Sequence, residues 1–446
     1  MTKFSDFSRR QFLTAVAVTA GSVLIPHDLL AERHEPVPQP ELIPERVILS
    51  LTADPAHSQA VTWRTIKAIS SAQAQIAPAS ANPNFEKAAT TVTATAVQTD
   101  AAKPGEYAVQ FEGLTPNAHY SYRVGDGTTW SEWNSFRTAS DKPEAFRFLY
   151  LGDEQNSIKS LWSRSIRAAY SKAPDARFIV HAGDLLEEGY DDRLWGEWCT
   201  AIGFISAVMP SFATPGNHDV HRLPGSADSK EVLSVSPLWR SHFALPMNGP
   251  KGVDELKEQA YYIDYQGVRF ISLDVNVYAN EAFSESAKQR IGDAQLAWLE
   301  ELLKNNPNRW TIVVQHQPIY PIAKGRDYVE MRNALLPLYD KYRVDLVLQG
   351  HDHTYARTHK LAAGKVVSPS QPGTIYAISV SGPKMYEIQD AFAPLRATTL
   401  AHTQAFQVIE MDGDKLTYSA YEIEGSQIDH FQIVKHADGT STYSNT

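Results

Sequence analysis

Gly350-His351-Asp352-His353-Thr354-Tyr355-Ala356-Arg357 follows directly on the apolar run Asp345-Leu346-Val347-Leu348-Gln349. The run reads as a buried strand, and the histidines as the loop leaving its end. The same arrangement recurs upstream. His316-Gln317-Pro318-Ile319-Tyr320 comes after Trp310-Thr311-Ile312-Val313-Val314, and Gly183-Asp184 after Phe178-Ile179-Val180-His181-Ala182. Gly152-Asp153-Glu154-Gln155 comes after Phe146-Arg147-Phe148-Leu149-Tyr150-Leu151, and Gly216-Asn217-His218-Asp219 lies between these blocks. Strand ends of a layered α/β sheet are where loops converge into a site. Oxygen and imidazole donors gathered there suit hard or borderline divalent metals. The glycines let the backbone turn sharply off each strand. A lone Asp after a strand is more often a helix cap, and a lone His a core residue. The series of such blocks in one chain is what points to a site.

The chain has 446 residues, more than one ordinary core, so at least two domains are expected. With 43% hydrophobic and 21% charged residues it has globular composition. A formal charge of −10 argues against a nucleic-acid scaffold binder, which needs a basic face. The single cysteine, Cys199, excludes an intramolecular disulfide and a cysteine metal site; it reads as a buried apolar-like side chain near Trp195 and Trp198.

Residues 1–31 read as a targeting segment. Ser8-Arg9-Arg10-Gln11-Phe12-Leu13 is a twin-arginine pattern, followed by an apolar run ending near Pro26, with Ala31 a candidate cleavage point. That run is shorter than the roughly 20 residues a membrane span requires, so no span is expected in the mature chain. The twin-arginine export machinery is the partner this implies, with a periplasmic or secreted destination. Residues 32–42 form a proline-rich linker. Over 43–140 the pattern turns to short alternating strands near Val47–Thr52, Ala60–Arg64, Tyr107–Phe111 and Tyr120–Val124, the mark of an antiparallel sandwich. The Ala/Thr/Gln-rich residues 71–100 give no clear period. Over 144–398 strands alternate with helices, among them one carrying Leu296, Leu299, Leu302 and Leu303 and one carrying Met331, Leu335, Leu338 and Tyr342. Residues 399–446 read as further strands closing one edge.

The motifs in this order resemble the calcineurin-like metallophosphoesterases, and His316–Tyr320 and Gly350–Arg357 resemble the H-x-P-x-Y and G-H-x-H-x-Y-x-R stretches of the purple acid phosphatases. Gly113 to Tyr122 is similar to the fibronectin type III-like domain that precedes the catalytic domain there. The resemblance implies a four-layer α/β sandwich (two mixed sheets flanked by helices) behind an all-β sandwich. It also implies two metal ions, Fe, Zn or Mn, with Asp153, Gln155, Asp184 and His353 around one and Asp184, Asn217, His316 and His351 around the other. The substrate class is a small phosphate ester, attacked by metal-bound hydroxide. His218 is expected as general acid or phosphate contact, with Asp219 orienting it; a helix N-cap is the alternative for Asp219. Tyr355 and Arg357 are expected to support the ligands from behind, or else to lie on the surface.

Two departures qualify the resemblance. Gln155 stands where the family pattern has histidine, and Glu187 where purple phosphatases carry their ligating tyrosine, which predicts a colourless protein. Glu187 supplies an anionic oxygen near the metals, or faces solvent. Lys324 and Arg326 replace a histidine-bearing stretch and either contact the substrate anion or belong to a solvated loop. The expected activity is that of an exported phosphomonoesterase of acid-phosphatase type. Its rivals are a phosphodiesterase or nucleotidase on the same site, and a non-catalytic surface binding protein.

Overall fold

The computed structural model describes residues 39–97, 104–222, 233–279, 283–438 and 440–445. The twin-arginine segment and the first part of the proline linker lie outside the described residues. The described residues from Gln39 onward form one compact unit.

The N-terminal strands form the expected sandwich. One sheet runs Thr90–Thr93, Gln73–Pro78, His119–Gly125, Asn134–Arg137, and it faces Glu45–Ser50, Gln59–Thr65 and Gly105–Phe111. Leu49, Val61, Trp63, Val109, Tyr122 and Phe136 fill the space between. The unreadable stretch supplies two of these strands. Ala74 and Ile76 alternate inward against half-buried glutamines, and small inward side chains carry little hydrophobic signal. The second sheet of the sandwich does not end at its own edge. Ser50 pairs in parallel with Ser211, so it continues into the catalytic sheet and the whole forms an 11-stranded sheet. The expected boundary near 140–144 therefore divides a single hydrogen-bonded surface.

Within that surface Phe146–Leu151, Ile179–Ala182 and Ser211–Thr214 run parallel. The tail adds Ala405–Asp412 antiparallel to Phe146–Leu151, then Lys415–Glu422, Gln427–Lys435 and Ser441–Asn445. The tail therefore extends the sheet outward from a catalytic strand. A second, 7-stranded sheet centres on the parallel strands Val268–Leu273, Trp310–Gln315, Leu346–Gln349 and Ile375–Ile378, with antiparallel strands at both edges. The sheets face each other across aromatic side chains: Phe148 meets Phe270 edge-on with centroids 5.2 Å apart, and Phe178 stacks on Phe148 at 5.1 Å. Helices cover the outside. Leu299 and Leu303 of Glu285–Lys304, and Met331, Leu335 and Tyr339 of Val329–Tyr342, pack on Ile271, Val313 and Val347. Their four-residue spacing is the one-sided stripe an outer helix needs. This is the four-layer arrangement. Cys199 sits in the helix Asp192–Ile202 directly after the buried Trp198, but is itself only half-buried.

Tyr355 and Arg357 depart from expectation. They face the other sheet rather than the ligands. Arg357 grips Asp429 through two hydrogen bonds of 2.6 and 2.7 Å, and the Tyr355 hydroxyl donates to the same carboxylate at 2.6 Å. The Arg357 side chain is fully buried and that of Asp429 nearly so, so the pair ties the tail to the second sheet across the core. Removing one partner strands the other charge, at a cost of about 3–5 kcal/mol. Asp429→Ala is therefore expected to lower the denaturant midpoint strongly while leaving turnover per folded molecule unchanged. An unchanged midpoint would show that the tie contributes nothing.

Candidate metal centre

The loops at the strand ends are held in costly backbone conformations. Asp153 (φ 55°), Asp184 (φ 52°), His351 (φ 76°) and His353 (φ 49°) are all left-handed. Such residues cost about 1–3 kcal/mol each and persist where surroundings over-determine them. Here the loops are stitched to one another: Asp153 N–H donates to Gly183 O at 3.1 Å, Glu154 and Gln155 to Asp184 O, and Gly350 to His316 O at 2.9 Å. The glycines are required by close approach. A Cβ on Gly216 would sit 2.1 Å from Asp184 Oδ1, and one on Gly350 2.7 Å from Asp153 Oδ2.

The side chains brought together form two overlapping groups, Asp184 with His316 and His351, and Asp153 with Asp184 and His353. Within each group the potential ligand atoms lie within 4.8 Å of one another, and Asp184 belongs to both. His316 Nε2 is 3.0 Å from Asp184 Oδ2, His353 Nε2 3.4 Å from Asp153 Oδ1, and His351 Nδ1 3.2 Å from His316 Nε2. The opposite ring nitrogens are taken up outside: His316 Nδ1 faces Ala182 O at 2.8 Å, and His353 Nδ1 faces Lys384 O at 3.2 Å. Such outer bonds fix the ring so that the inner nitrogen faces a cation. Asp153 Oδ1, Asn217 Oδ1 and both amide atoms of Gln155 are buried without a hydrogen-bond partner. Orphaned donors of this kind, converging on shared carboxylates, fit a pair of divalent ions. The glutamine in place of histidine is buried with its amide free.

Electrostatics agree with that chemistry. Burial alone would depress His316, but the Asp184 and Asp153 carboxylates push it up to about 9. Burial likewise opposes ionisation of Asp184, yet His316 holds its carboxyl well below the usual range. His353 is pushed down to about 3 chiefly by burial, and His351 is held well below its ordinary value by burial and by the charge on His316. A proton on His316 thus stands where a cation would. Metal uptake has to displace it, so apparent affinity should weaken about tenfold per unit as pH falls below about 9. Titrating metal-stripped protein with Zn or Mn at pH 6, 7 and 8 checks this; pH-independent affinity would contradict it.

Other expected site residues are placed differently. Asp219 does not orient the His218 imidazole: its Oδ2 accepts the backbone N–H groups of Gly216 and Asp184, each at 2.8 Å. It is a buried brace between two ligand loops, with its carboxyl pushed up to about 8 by burial and by Asp184. His218 Nδ1 lies 2.8 Å from Glu187 O, and its backbone N–H donates to Asp184 Oδ1 at 2.9 Å. Glu187 reaches toward His218 Nδ1 (4.0 Å) and Lys384 Nζ (3.6 Å), and neither metal group includes it. Arg326 has its charge engaged by Asp352 Oδ1 at 3.0 Å and by the His351 carbonyl, and lies 4.7 Å over Tyr386. It clamps the loop after His316 to the His351 loop instead of offering a free cation. Lys324 is exposed. Tyr190, the nearest tyrosine after Asp184, is exposed and packs on His221.

Sequence reasoning missed three residues at the rim. The Tyr328 hydroxyl bonds His351 Nε2, Tyr386 meets His353 edge-on at 4.8 Å, and Lys384 points toward Glu187. It also missed the buried Glu154, which anchors the first loop through His181 Nδ1 at 2.5 Å and Trp198 Nε1 at 2.6 Å. A histidine in the middle of an apolar strand was the signal available for that pair.

Residues 44–138 match the family model of the purple acid phosphatase N-terminal domain, and residues 146–355 that of the calcineurin-like phosphoesterases. "Probable purple acid phosphatase 20" of Arabidopsis thaliana is 28% identical over 259 residues, covering 56% of this chain and 55% of that protein. "Acid phosphatase type 7" of Danio rerio is 26% identical over 377 residues, covering 74% and 77%. The chain spans about half the length of the first of these relatives. In fold, a purple acid phosphatase isolated from yellow lupin (Lupinus luteus) seeds superposes with a TM-score of 0.73 at 18% identity, over 89% of this chain and 75% of that one.

Proposed function

We propose that this chain, a purple acid phosphatase-like member of the calcineurin-like metallophosphoesterases, is a metal-dependent phosphoester hydrolase and, more narrowly, an exported phosphomonoesterase. The observation that carries the reading is the buried Asp184, shared by two ligand groups beside which Asp153 Oδ1, Asn217 Oδ1 and the Gln155 amide are buried without a hydrogen-bond partner. Asp153, Gln155, Asp184 and His353 would hold one ion; Asp184, Asn217, His316 and His351 the other. Bound there, the ions would supply a nucleophile from water near neutral pH and offset charge on the phosphoryl oxygens.

The protein's own part is positioning and proton delivery. Nδ1–H of His218 donating to Glu187 O leaves Nε2 to carry a proton toward a departing alkoxide. Its side chain is 28% exposed, so a substrate can reach it. Lys384, one-quarter exposed beside Glu187, offers a cation to the second negative charge of a monoester. Export rests on the Ser8-Arg9-Arg10 pattern and its apolar run. No helix among the described residues is long and apolar enough to cross a membrane.

Turnover of p-nitrophenyl phosphate against its bis ester tests the specificity. The monoester is expected to be the better substrate, and Lys384→Ala to raise KM for the monoester more than for the diester. Faster turnover of the bis ester would replace this reading by a phosphodiesterase.

A further inference from the structure

A cavity of about 660 Å³ lies well away from the metal ligands. Phe146, Arg147, Arg177 and Pro210 on its wall open or precede the parallel strands Phe146–Leu151, Ile179–Ala182 and Ser211–Thr214, whose far ends carry Asp153, Asp184 and Asn217. At roughly 3.3 Å per residue, the strands put about 15–20 Å between cavity and metal centre. The remaining walls come from His119 and Arg137 of the sandwich and from Glu410 and Asp412 of the tail. The cavity is the seam where sandwich, catalytic sheet and tail meet.

Its charges are unevenly matched. Arg147 is paired with Asp175 and, at 3.7 Å, with Glu410. Among the described residues the Arg137 guanidinium donates to the side-chain oxygen of Asn117, and its Nε is buried without a partner. The Arg177 guanidinium has no ion-pair or hydrogen-bond partner among the described residues, although it is half-buried. The nearby Glu144 is turned to Asn117, at 3.1 Å. Burial first, then the neighbouring Arg137, pulls Arg177 below its ordinary pKa against the opposing pull of Tyr265 and Glu144, and burial with these two arginines lowers His119. Asp412 is exposed at the rim.

We propose that Arg137 and Arg177, with His119 beside them, form a second anion site that takes a phosphate-type oxyanion, free or carried on a small organic molecule. Two guanidinium groups on different elements, facing one concave space with donors unspent, present the fork geometry that oxyanions accept. An oxyanion there relieves the repulsion between the two cations and joins the sandwich to the catalytic sheet. The volume lies within the range of small-molecule sites and exceeds what one phosphate fills. The site shares no residue with the metal centre, so it stands or falls independently of the phosphatase reading.

Arginine modification by phenylglyoxal in the full metal-loaded chain, read by peptide mass spectrometry, tests it. Inorganic phosphate at five times its dissociation constant should slow modification of Arg137 and Arg177 about sixfold. The exposed Arg193 and Arg164 report ionic-strength effects and should not change. Protection by phenylphosphonate at lower concentration than phosphate assigns an organic ligand, and protection by phosphate alone assigns the free ion. No protection by either, or equal protection of Arg193, overturns the proposal. In equilibrium dialysis, Arg137→Gln with Arg177→Gln should lose this class of bound phosphate and keep p-nitrophenyl phosphate turnover. Undiminished phosphate binding in that variant also overturns it.

Discussion

Asp184→Asn is expected to lose nearly all activity and most bound metal, with the fold intact. The carboxylate is the one anionic group common to both ligand clusters, so its neutralisation weakens both sites together. Transition-state stabilisation by bound cations is worth several kcal/mol, so losing about 4 kcal/mol of it lowers turnover about 10³-fold. Asparagine is the appropriate substitution because residue 184 is left-handed (φ 52°), a conformation that Asn tolerates nearly as well as Asp. Its side-chain oxygen can still accept the His218 N–H that Asp184 Oδ1 holds at 2.9 Å. An unchanged denaturant midpoint would show that the loss is chemical. Near-normal turnover with two bound metals would contradict the ligand assignment.

The second large effect belongs to His218. Its imidazole is held from outside by the Glu187 carbonyl and lies in neither ligand group, so His218→Ala should leave metal content unchanged. Without a proton donor, alkyl phosphates with poor leaving groups should slow by roughly 10²–10⁴-fold. p-Nitrophenyl phosphate, whose leaving group departs unprotonated, should lose far less. Equal losses on the two substrates would assign His218 to phosphate positioning instead.

Much of this was legible in the sequence because strand ends and ligands coincide. Runs dominated by apolar residues, such as Trp310–Val314, mark strands buried on both faces, and the polar residues just beyond each run have nowhere to project but the loop cluster. What failed to show were contacts made across the fold. Tyr355 and Arg357 sit directly after ligand His353, yet alternation along a strand turns them to the facing sheet, where their partner Asp429 lies 72 residues further on from Arg357. Asp219 and Arg326 carry the right charges for chemistry and use them on backbone and on Asp352. Lys384 and Tyr386 stand in a stretch of irregular structure after Ile375–Ile378, where no periodicity marks a position. The join between Ser50 and Ser211 depends on a single paired position, too short to leave a pattern.

Metal stoichiometry measured together with turnover tests the central claim most directly. Protein dialysed free of loose ions should contain two equivalents of Mn, Zn or Fe per chain. Chelation should remove the metals and the phosphomonoesterase activity together, and adding metal back should restore both. Full activity in metal-stripped protein, or with one metal per chain, would contradict a two-metal centre built on Asp184.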